Sequence, residues 1–172
     1  YIYVDEDFSE EIYNVFDIAK KITEKIEFPM FVKPSNSGSS VGINKADNLE
    51  ELIKAIEYAG EFDSKILIEE NIKGREIECA VLGNEEVESS CVGEILAADK
   101  FYSFSAKYQN QESKTIIPAD LPNNLADEVR KIAEKAYKAA DCKGLARVDF
   151  FVDDINNKIY INEINTLPGF TQ

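Results

Sequence analysis

The chain has 172 residues, 44% of them hydrophobic and 30% charged, which is the composition of an ordinary globular protein with a buried core. Nineteen basic and thirty-three acidic residues give a formal net charge of −14, which disfavours nucleic acid and anionic membrane surfaces as partners. The sequence contains no histidine, so histidine-based catalytic triads, proton relays and metal sites are excluded.

Strands and helices alternate in the predicted first part of the chain. Residues 1–4 form a short predicted strand that starts without any leader, as in a fragment of a larger protein. Apolar residues at helical spacing predict a first helix from Glu10 onward, with Ser9 as its N-cap. A capping box at residues 47–50 opens a second predicted helix. The other predicted strands of this part are residues 29–32 and 65–69.

Paired strands dominate the predicted second part, which begins near Gly74. Strand-like runs occur in two pairs, each joined by a turn: residues 76–82, 87–95, 146–152 and 158–165. Between the pairs, residues 97–115 are polar, aromatic and irregular, which is typical of a functional lid. Pro122 begins a third predicted helix, which ends before Gly144 and turns its apolar face to the core.

A Ser/Gly loop, KPSNSGSSVG at residues 33–42, follows the second predicted strand. Small polar residues between two apolar runs are typical of a surface turn. The alternative is an anion site, in which Gly38 and Gly42 let the backbone approach closely and Lys33 adds positive charge. The G-x-x-x-x-G-K-[ST] order of a Walker A loop is absent. The loop by itself leaves both interpretations open.

Acidic and amide side chains cluster on the last predicted hairpin. The two-residue period places Arg147 and Asp149 on one face of its first strand. By the same period, Glu163 and Asn165 share one face of its second strand. If the register sets Asp149 opposite Glu163, oxygen ligands that suit Mg²⁺ converge. Alternatively both carboxylates point to solvent, and Arg147 is either part of a structural ion pair or a clamp for an anionic oxygen.

The cysteines indicate a reducing compartment. Cys79, Cys91 and Cys142 are odd in number and lack C-x-x-C spacing, so neither a disulfide framework nor a zinc site is predicted. No apolar run approaches membrane-spanning length, and the N-terminal residues lack the basic and apolar parts of a signal peptide. The sequence therefore predicts a cytoplasmic protein without a membrane partner.

The Ser/Gly loop and the acidic hairpin are complementary, because one offers phosphate donors and the other a metal clamp. Together they indicate nucleoside triphosphate chemistry. Five stretches resemble, in order, the motifs of D-alanine–D-alanine ligases: VKPSNSGSSVG, LIEENIKGREI, FYSFSAKY, ARVDFF and NEINTLPGFT. The resemblance runs from about Phe28 to the C-terminus and implies the α+β ATP-grasp fold. Two α+β subdomains, residues 1–70 and 71–172, would then grip a nucleotide between them.

The resemblance also implies a site for ATP. Lys33 resembles the lysine that contacts the phosphates, and Glu76 the carboxylate that holds the ribose hydroxyls. The loop that closes over substrate and phosphoryl group corresponds to Ser39, Ser40, Val41 and Gly42. The hinge that hydrogen-bonds the adenine edge corresponds to Glu69, Glu70, Asn71 and Ile72. The walls of the adenine pocket correspond to four residues that alternatively belong to an ordinary core: Phe31, Ile43, Phe101 and Phe151.

Catalytic and metal-binding positions follow from the same resemblance. Lys107 resembles the mobile-loop lysine that reaches the γ-phosphate, and Tyr108 a neighbour that helps select the second amino acid. Relatives that make a depsipeptide carry histidine at the position of Tyr108, so amide formation is implied. Arg147 and the backbone N–H of Gly169 resemble the groups that stabilise the tetrahedral intermediate. The Mg²⁺ ligands, for two ions with Mn²⁺ as an alternative, correspond to Asp149, Glu163 and Asn165.

The implied reaction joins two D-alanines for peptidoglycan precursor synthesis. The carboxylate of one attacks the γ-phosphate of ATP, and the amine of the second attacks the resulting acylphosphate. The family's N-terminal domain does not precede Tyr1, and its motif continues beyond Gln172, so we expect the chain alone to bind Mg-nucleotide weakly and not to ligate. Other interpretations are a D-alanine–D-serine ligase, another ATP-grasp carboxylate–amine ligase, and a non-enzymatic acidic binding module. By analogy with relatives, the full-length protein would be a homodimer.

Overall fold

The computed structural model describes residues 2–4, 14–38, 40–96 and 114–168. The chain divides into two compact units, the first ending at Ile72 and the second beginning at Lys73. This division lies two residues later than the predicted boundary. Among the helices of the described ranges, none is long and apolar enough to span a bilayer.

The first unit contains an antiparallel sheet with the strand order β1-β4-β2-β3 and two helices. Its elements are β1 (Ile2–Val4), α1 (Val15–Thr23), β2 (Met30–Pro34), β3 (Asn44–Ala46), α2 (Leu49–Gly60) and β4 (Ile66–Glu70). Apolar residues of both helices pack against alternate residues of β2 and β4, among them Met30, Val32 and Ile68, which are fully buried. The residues between these, such as Phe31 and Lys33, therefore lie on the face of the sheet away from the helices.

Both helix starts in the first unit differ from the prediction. Helix α1 is capped by Asn14, whose Oδ1 accepts the N–H of Asp17 at 2.9 Å. Ser9, the predicted cap, lies outside the described residues. Helix α2 is capped by Asn48, which accepts the N–H of Glu51 at 3.0 Å, so the capping box begins one residue later than predicted.

The second unit contains an antiparallel sheet with the order β10-β9-β5-β7-β8, and β6 pairs with the far end of β5. Its elements are β5 (Arg75–Gly83), β6 (Val87–Ser89), β7 (Gly93–Leu96), β8 (Lys114–Ile116), α3 (Asn123–Ala139), β9 (Gly144–Asp153) and β10 (Lys158–Asn165). Helix α3 packs Leu125, Val129, Ala133 and Tyr137 against alternate residues of β5 and β9. Helices on one side of antiparallel sheets confirm the predicted α+β class.

The predicted strand over residues 87–95 is wrong as a single element, because β6 and β7 are separate. Both pair with β5, but the pairing of β7 is shifted by one residue relative to that of β6. At the break, Ser90 donates its N–H to the carbonyl of Ala80 and accepts the Ala80 N–H on its Oγ at 3.1 Å. One extra residue between the strands therefore acts as a bulge. Strand β8 occupies the end of the predicted lid, and residues 97–113 lie outside the described residues.

Glu94, a buried acidic residue of the second unit, is paired with Arg75. The guanidinium of Arg75 binds both oxygens of Glu94, at 2.7 and 2.6 Å, and also reaches Asp154 at 3.0 Å. These partners raise the pKa of Arg75, the hydrogen bond to Glu94 most of all.

All three cysteines are free, and burial raises the pKa of Cys79 to about 11, so this thiol stays protonated at neutral pH.

Candidate functional site

The Ser/Gly loop is fixed at its base by Asp63, which precedes β4. One oxygen of this carboxylate accepts the backbone N–H of Asn36 at 2.7 Å and its side-chain amide at 2.9 Å. The other oxygen accepts the N–H of Lys65 at 3.1 Å. These bonds hold the pKa of Asp63 below its usual value, the bond from Lys65 most of all. The start of the loop is therefore anchored to the neighbouring strand.

Two tight turns form the tip of the Ser/Gly loop. The N–H of Val41 donates to the carbonyl of Gly38, and that of Ile43 to the carbonyl of Ser40. Ser40 and Gly42 have φ values of 62° and 77°, and Gly42 is buried. A Cβ at Gly42 would lie 2.5 Å from Cγ of Pro34. Position 42 therefore requires glycine, and the described part of the loop has a defined backbone conformation.

Lys33, the first residue of this loop, lies near the end of β2 on the face of the first unit's sheet that is turned away from the helices. Its ammonium forms an ion pair with Glu69, and the two side chains are 22% and 27% exposed. Phe31 lies directly opposite Glu69 in the register of β2 and β4. An ammonium, a carboxylate and an aromatic ring thus meet on one face, and Ile43 is half-buried where the loop rejoins the sheet.

The predicted hinge, residues 69–72, is only in part available to a ligand. The N–H of Asn71 donates to the carbonyl of Pro29 at 3.2 Å. Any hydrogen bonds from this segment to a nucleobase must therefore come from other groups, such as those of Glu69, Glu70 and Ile72.

The predicted site residues of the second unit lie on the face of its sheet that points away from α3. The register sets Glu76 opposite Phe151 between β5 and β9. Between β9 and β10 it sets Asp149 opposite Glu163, as the metal hypothesis requires. The next pair on this face is Arg147 with Asn165. The strands therefore carry these side chains in adjacent rows.

A bulge in β10 turns Glu163 toward this face. Ile161 pairs with Phe150 and Glu163 with Asp149, so Asn162 is an extra residue. Without the bulge, Glu163 would lie opposite the buried Val148 and point to the core. With it, Ile164 takes that position and packs against the core, and Glu163 faces outward.

Arg147 binds Asp149 with two parallel hydrogen bonds, from Nε at 2.7 Å and from Nη2 at 2.8 Å. Asn165 donates its amide to the same carboxylate at 2.9 Å. Burial raises the pKa of Asp149, while the hydrogen bond from Arg147 opposes that rise. The hydrogen bond to Asp149 raises the pKa of Arg147. This is a preformed pair of a partly buried acid and a base that stays charged.

Glu78 belongs to this cluster and was not predicted. It lies directly opposite Asp149 in the register of β5 and β9, and its Oε1 is 3.3 Å from Nε of Arg147. The two-residue period from Glu76 could have indicated that it shares this face. The local pattern does not show that β5 pairs with β9, so it could not place Glu78 next to Asp149.

The donor set fits a divalent cation. Asp149 and Glu163 face each other across two strands, an arrangement of like charges that is destabilising unless a positive group lies nearby. Carboxylate and amide oxygens are the ligands that Mg²⁺ prefers. In this structure the nearby positive group is Arg147, and the described residues contain no group of three or more acidic or sulfur ligands arranged around a common point. A cation bound to Asp149 would require the guanidinium of Arg147 to release at least one of its hydrogen bonds to that carboxylate.

Five of the predicted site residues lie outside the described residues: Ser39, Phe101, Lys107, Tyr108 and Gly169. Of the others, Lys33 and Glu69 are in contact in the first unit. In the second unit, Asp149 lies in contact with Arg147 and Asn165, and Asn165 Nδ2 is 3.4 Å from Glu163.

Comparison with known proteins gives one consistent result. Residues 3–172 match the family model described as "D-ala D-ala ligase C-terminus". The chain is 56% identical over 162 residues to a D-alanine–D-alanine ligase of Acetivibrio thermocellus, covering 94% of this chain and 43% of the relative. A ligase of the same name from Caldicellulosiruptor bescii is 54% identical over 152 residues, with 88% and 42% covered.

Solved structures agree. The VanG D-Ala:D-Ser ligase from Enterococcus faecalis superposes with a TM-score of 0.82 at 36% identity, covering 99% of this chain and 48% of that one. The D-alanine-D-alanine ligase from Coxiella burnetii gives a TM-score of 0.78 at 33% identity, with 98% and 42% covered. The chain thus spans less than half of the length of these relatives.

Proposed function

The chain belongs to the family of D-alanine–D-alanine ligase C-terminal regions, with the ATP-grasp fold, and we propose that it supplies the nucleotide- and metal-binding part of an ATP-dependent ligase. The ligase would join two D-alanines through an acylphosphate for peptidoglycan precursor synthesis. The observation that carries this proposal is the register that sets Asp149 opposite Glu163, with Arg147 and Asn165 in the adjacent row.

Residues of the second unit would act on the reacting groups. Asp149, Glu163 and Asn165 would hold Mg²⁺, one ion or two, with Mn²⁺ as an alternative, and the metal would neutralise charge on phosphoryl oxygens. Arg147 would donate its fork of N–H groups to the oxyanion of the tetrahedral intermediate. No side chain has to act as a nucleophile, because the substrate carboxylate and amine do so. Catalysis would consist of positioning and charge neutralisation.

The remaining roles concern the nucleotide. Lys33 would bind the phosphates as a point charge, and the backbone of Ser40, Val41 and Gly42 would close over the phosphoryl group. The carboxylate of Glu76 would accept the ribose hydroxyls. Apolar contacts to the base would come from the half-buried Phe31, Ile43 and Phe151. The residues Ser39, Phe101, Lys107, Tyr108 and Gly169 retain the roles that the family resemblance implies.

A thermal-shift titration tests the metal and nucleotide site. We expect ADP with Mg²⁺ to raise the melting temperature, since a ligand at one hundred times its Kd adds about 2.7 kcal/mol of stability. Asp149→Asn and Glu163→Gln should abolish the part of the shift that depends on Mg²⁺. Glu88→Gln, the same charge change at an exposed position of β6, should leave it intact. A Mg²⁺-dependent shift that persists in both site variants would contradict the proposal.

The identity of the second substrate needs its own test, because the likeness to VanG D-Ala:D-Ser ligase favours D-serine as an alternative. Incubating a protein of the family's full length with ATP and either D-alanine alone or D-alanine plus D-serine would separate the two products. For the 172-residue chain alone we expect no phosphate release with ATP and D-alanine. Robust turnover by the chain alone would contradict this expectation.

We also propose a cytoplasmic location. The three free thiols fit a reducing compartment, since secreted proteins usually pair their cysteines. Fractionation of cells that carry a tagged version would test this.

A further inference from the structure

Arg147 lies between two carboxylates on neighbouring strands. Its Nε is 2.7 Å from Oδ1 of Asp149 on its own strand and 3.3 Å from Oε1 of Glu78 on β5. The three side chains are partly buried, with 24%, 14% and 28% of their surface exposed for Arg147, Asp149 and Glu78. The guanidinium therefore has a primary acceptor and a second one within reach.

If the proposed function holds, Asp149 must bind a cation with the same oxygens that now accept hydrogen bonds from Arg147. Arg147 uses both oxygens of Asp149, and Asn165 donates to one of them as well. A divalent cation on Asp149 would stand within a few ångströms of the guanidinium, and two positive groups so close repel each other strongly in a partly buried site. Cation binding therefore requires Arg147 to release at least one of these hydrogen bonds.

Glu78 can receive the released guanidinium. Its backbone is directly opposite that of Asp149, and both side chains lie on the same face of the sheet. Arginine presents five N–H donors in a rigid fork, so a small rotation exchanges one carboxylate for another. A charged acceptor also spares the guanidinium the cost of staying partly buried without a counter-ion.

We propose that Glu78 is a positioning residue for Arg147: when Asp149 takes up a divalent cation, the guanidinium moves from Asp149 to Glu78. This inference rests on the proposed function. It gives Glu78 two effects, which are to favour cation binding and to keep Arg147 at the site, charged and oriented toward an anionic oxygen. Glu78 acts through Arg147 and does not itself bind the cation.

Titration of the chain with MgCl₂ alone tests the exchange, because it needs neither nucleotide nor turnover. The Nε–H resonance of Arg147, assigned by its loss in Arg147→Met, should shift as Mg²⁺ saturates. Calorimetry should show that Glu78→Gln weakens Mg²⁺ binding about fivefold, the scale of one partly exposed ion pair. Glu88→Gln lies on the same face of the sheet but farther from Asp149, and it should change the affinity less than about twofold.

A double-mutant cycle separates positioning from a direct effect of the Glu78 charge. In an Arg147→Met background, Glu78→Gln should change Mg²⁺ affinity less than about twofold, because the exchange no longer exists. Arg147→Gln serves the same purpose if the methionine variant does not fold. An equal loss with and without Arg147 would mean that Glu78 acts as a ligand or a simple charge, and would overturn the inference.

The two remaining outcomes are also decisive. Mg²⁺ binding with an unmoved Arg147 resonance would overturn the exchange and leave the proposed function standing. Absence of Mg²⁺ binding by the unmodified chain, together with no Mg²⁺-dependent protection by ADP, would overturn both.

Discussion

Asp63 shows how one carboxylate can fix a loop, because it accepts three hydrogen bonds from two segments. Its folded-state pKa is lowered, so its contribution to stability is present above the ordinary pKa of about 3.9 and is lost as pH falls through the folded value. We expect Asp63→Asn to lower the urea midpoint at pH 7. The difference from the unmodified chain should shrink toward zero as pH falls below that range.

Asp127→Asn is the matched control, since Asp127 is exposed and its ion pair with Arg130 is long, at 3.6 Å. Its urea midpoint should follow that of the unmodified chain at every pH. A pH-independent loss in Asp63→Asn would mean that the side chain's shape, and not its charge, holds the loop.

Glu94 is a buried carboxylate whose charge is neutralised by Arg75. Its side chain is 8% exposed, and Arg75 binds both of its oxygens. Arg75→Met should therefore lower the free energy of unfolding by about 3 kcal/mol, because it leaves a buried carboxylate without its counter-ion. Chemical denaturation would measure the loss.

Two comparisons identify the cause of that loss. Adding Glu94→Met to Arg75→Met should recover most of the stability, since no unpaired charge then remains. Lys54→Met removes the exposed pair with Glu50 and should leave the denaturation midpoint close to that of the unmodified chain. Equal losses in Arg75→Met and Lys54→Met would contradict the role of burial.

At the scale of elements, local patterns predicted most helices and strands but not their exact limits. Both Asp47 and Asn48 are good N-caps with a glutamate three residues later, so the sequence could not decide between them. Strand β3 was missed because its three residues have no alternation of their own and depend on the edge that β2 offers. Such choices are made by tertiary contacts rather than by propensity.

The candidate site was predictable where a single hairpin forms it, because the two-residue period indicated Asp149 and Glu163. The bulge that aligns them also has a signal: Ile159 and Ile164 both pack against the core although they are five positions apart, an odd spacing that a regular strand does not place on one face. Glu78 could not be assigned in the same way, because pairing of β5 with β9 joins residues about seventy positions apart.

The tip of the Ser/Gly loop depends on one glycine and not on the other. Gly42→Ala places a Cβ 2.5 Å from Pro34 and 2.9 Å from Phe62, at a φ of 77° that favours glycine. We expect a loss of about 2 kcal/mol in the free energy of unfolding, from backbone strain and overpacking together. Gly38→Ala meets no atom within 4 Å and should stay within about 0.5 kcal/mol of the unmodified chain. Similar urea midpoints for the two variants would contradict this account of the loop.

At the scale of the whole molecule, the two separate cores and the net negative charge both bear on the predicted site. Each unit has its own apolar core, one built on α1 and α2 and the other on α3, so each sheet packs one face against helices and carries predicted site residues on the other face. The formal net charge of −14 opposes any anionic nucleotide at long range. The proposed phosphate site would therefore need local positive charge, such as that of Lys33.

The same net charge predicts how stability responds to salt. Because acidic residues outnumber basic ones, self-repulsion destabilises the compact state, and added ions screen it. At neutral pH the urea midpoint should rise as sodium chloride increases from about 0.01 M, where the Debye length is about 30 Å, to about 1 M, where it is about 3 Å. Potassium chloride should give the same rise, because screening depends on ionic strength. Near the sequence pI of about 4.5 the rise should largely disappear, since little net charge remains. A midpoint that falls with salt at neutral pH would instead show that surface ion pairs outweigh the excess of negative charge.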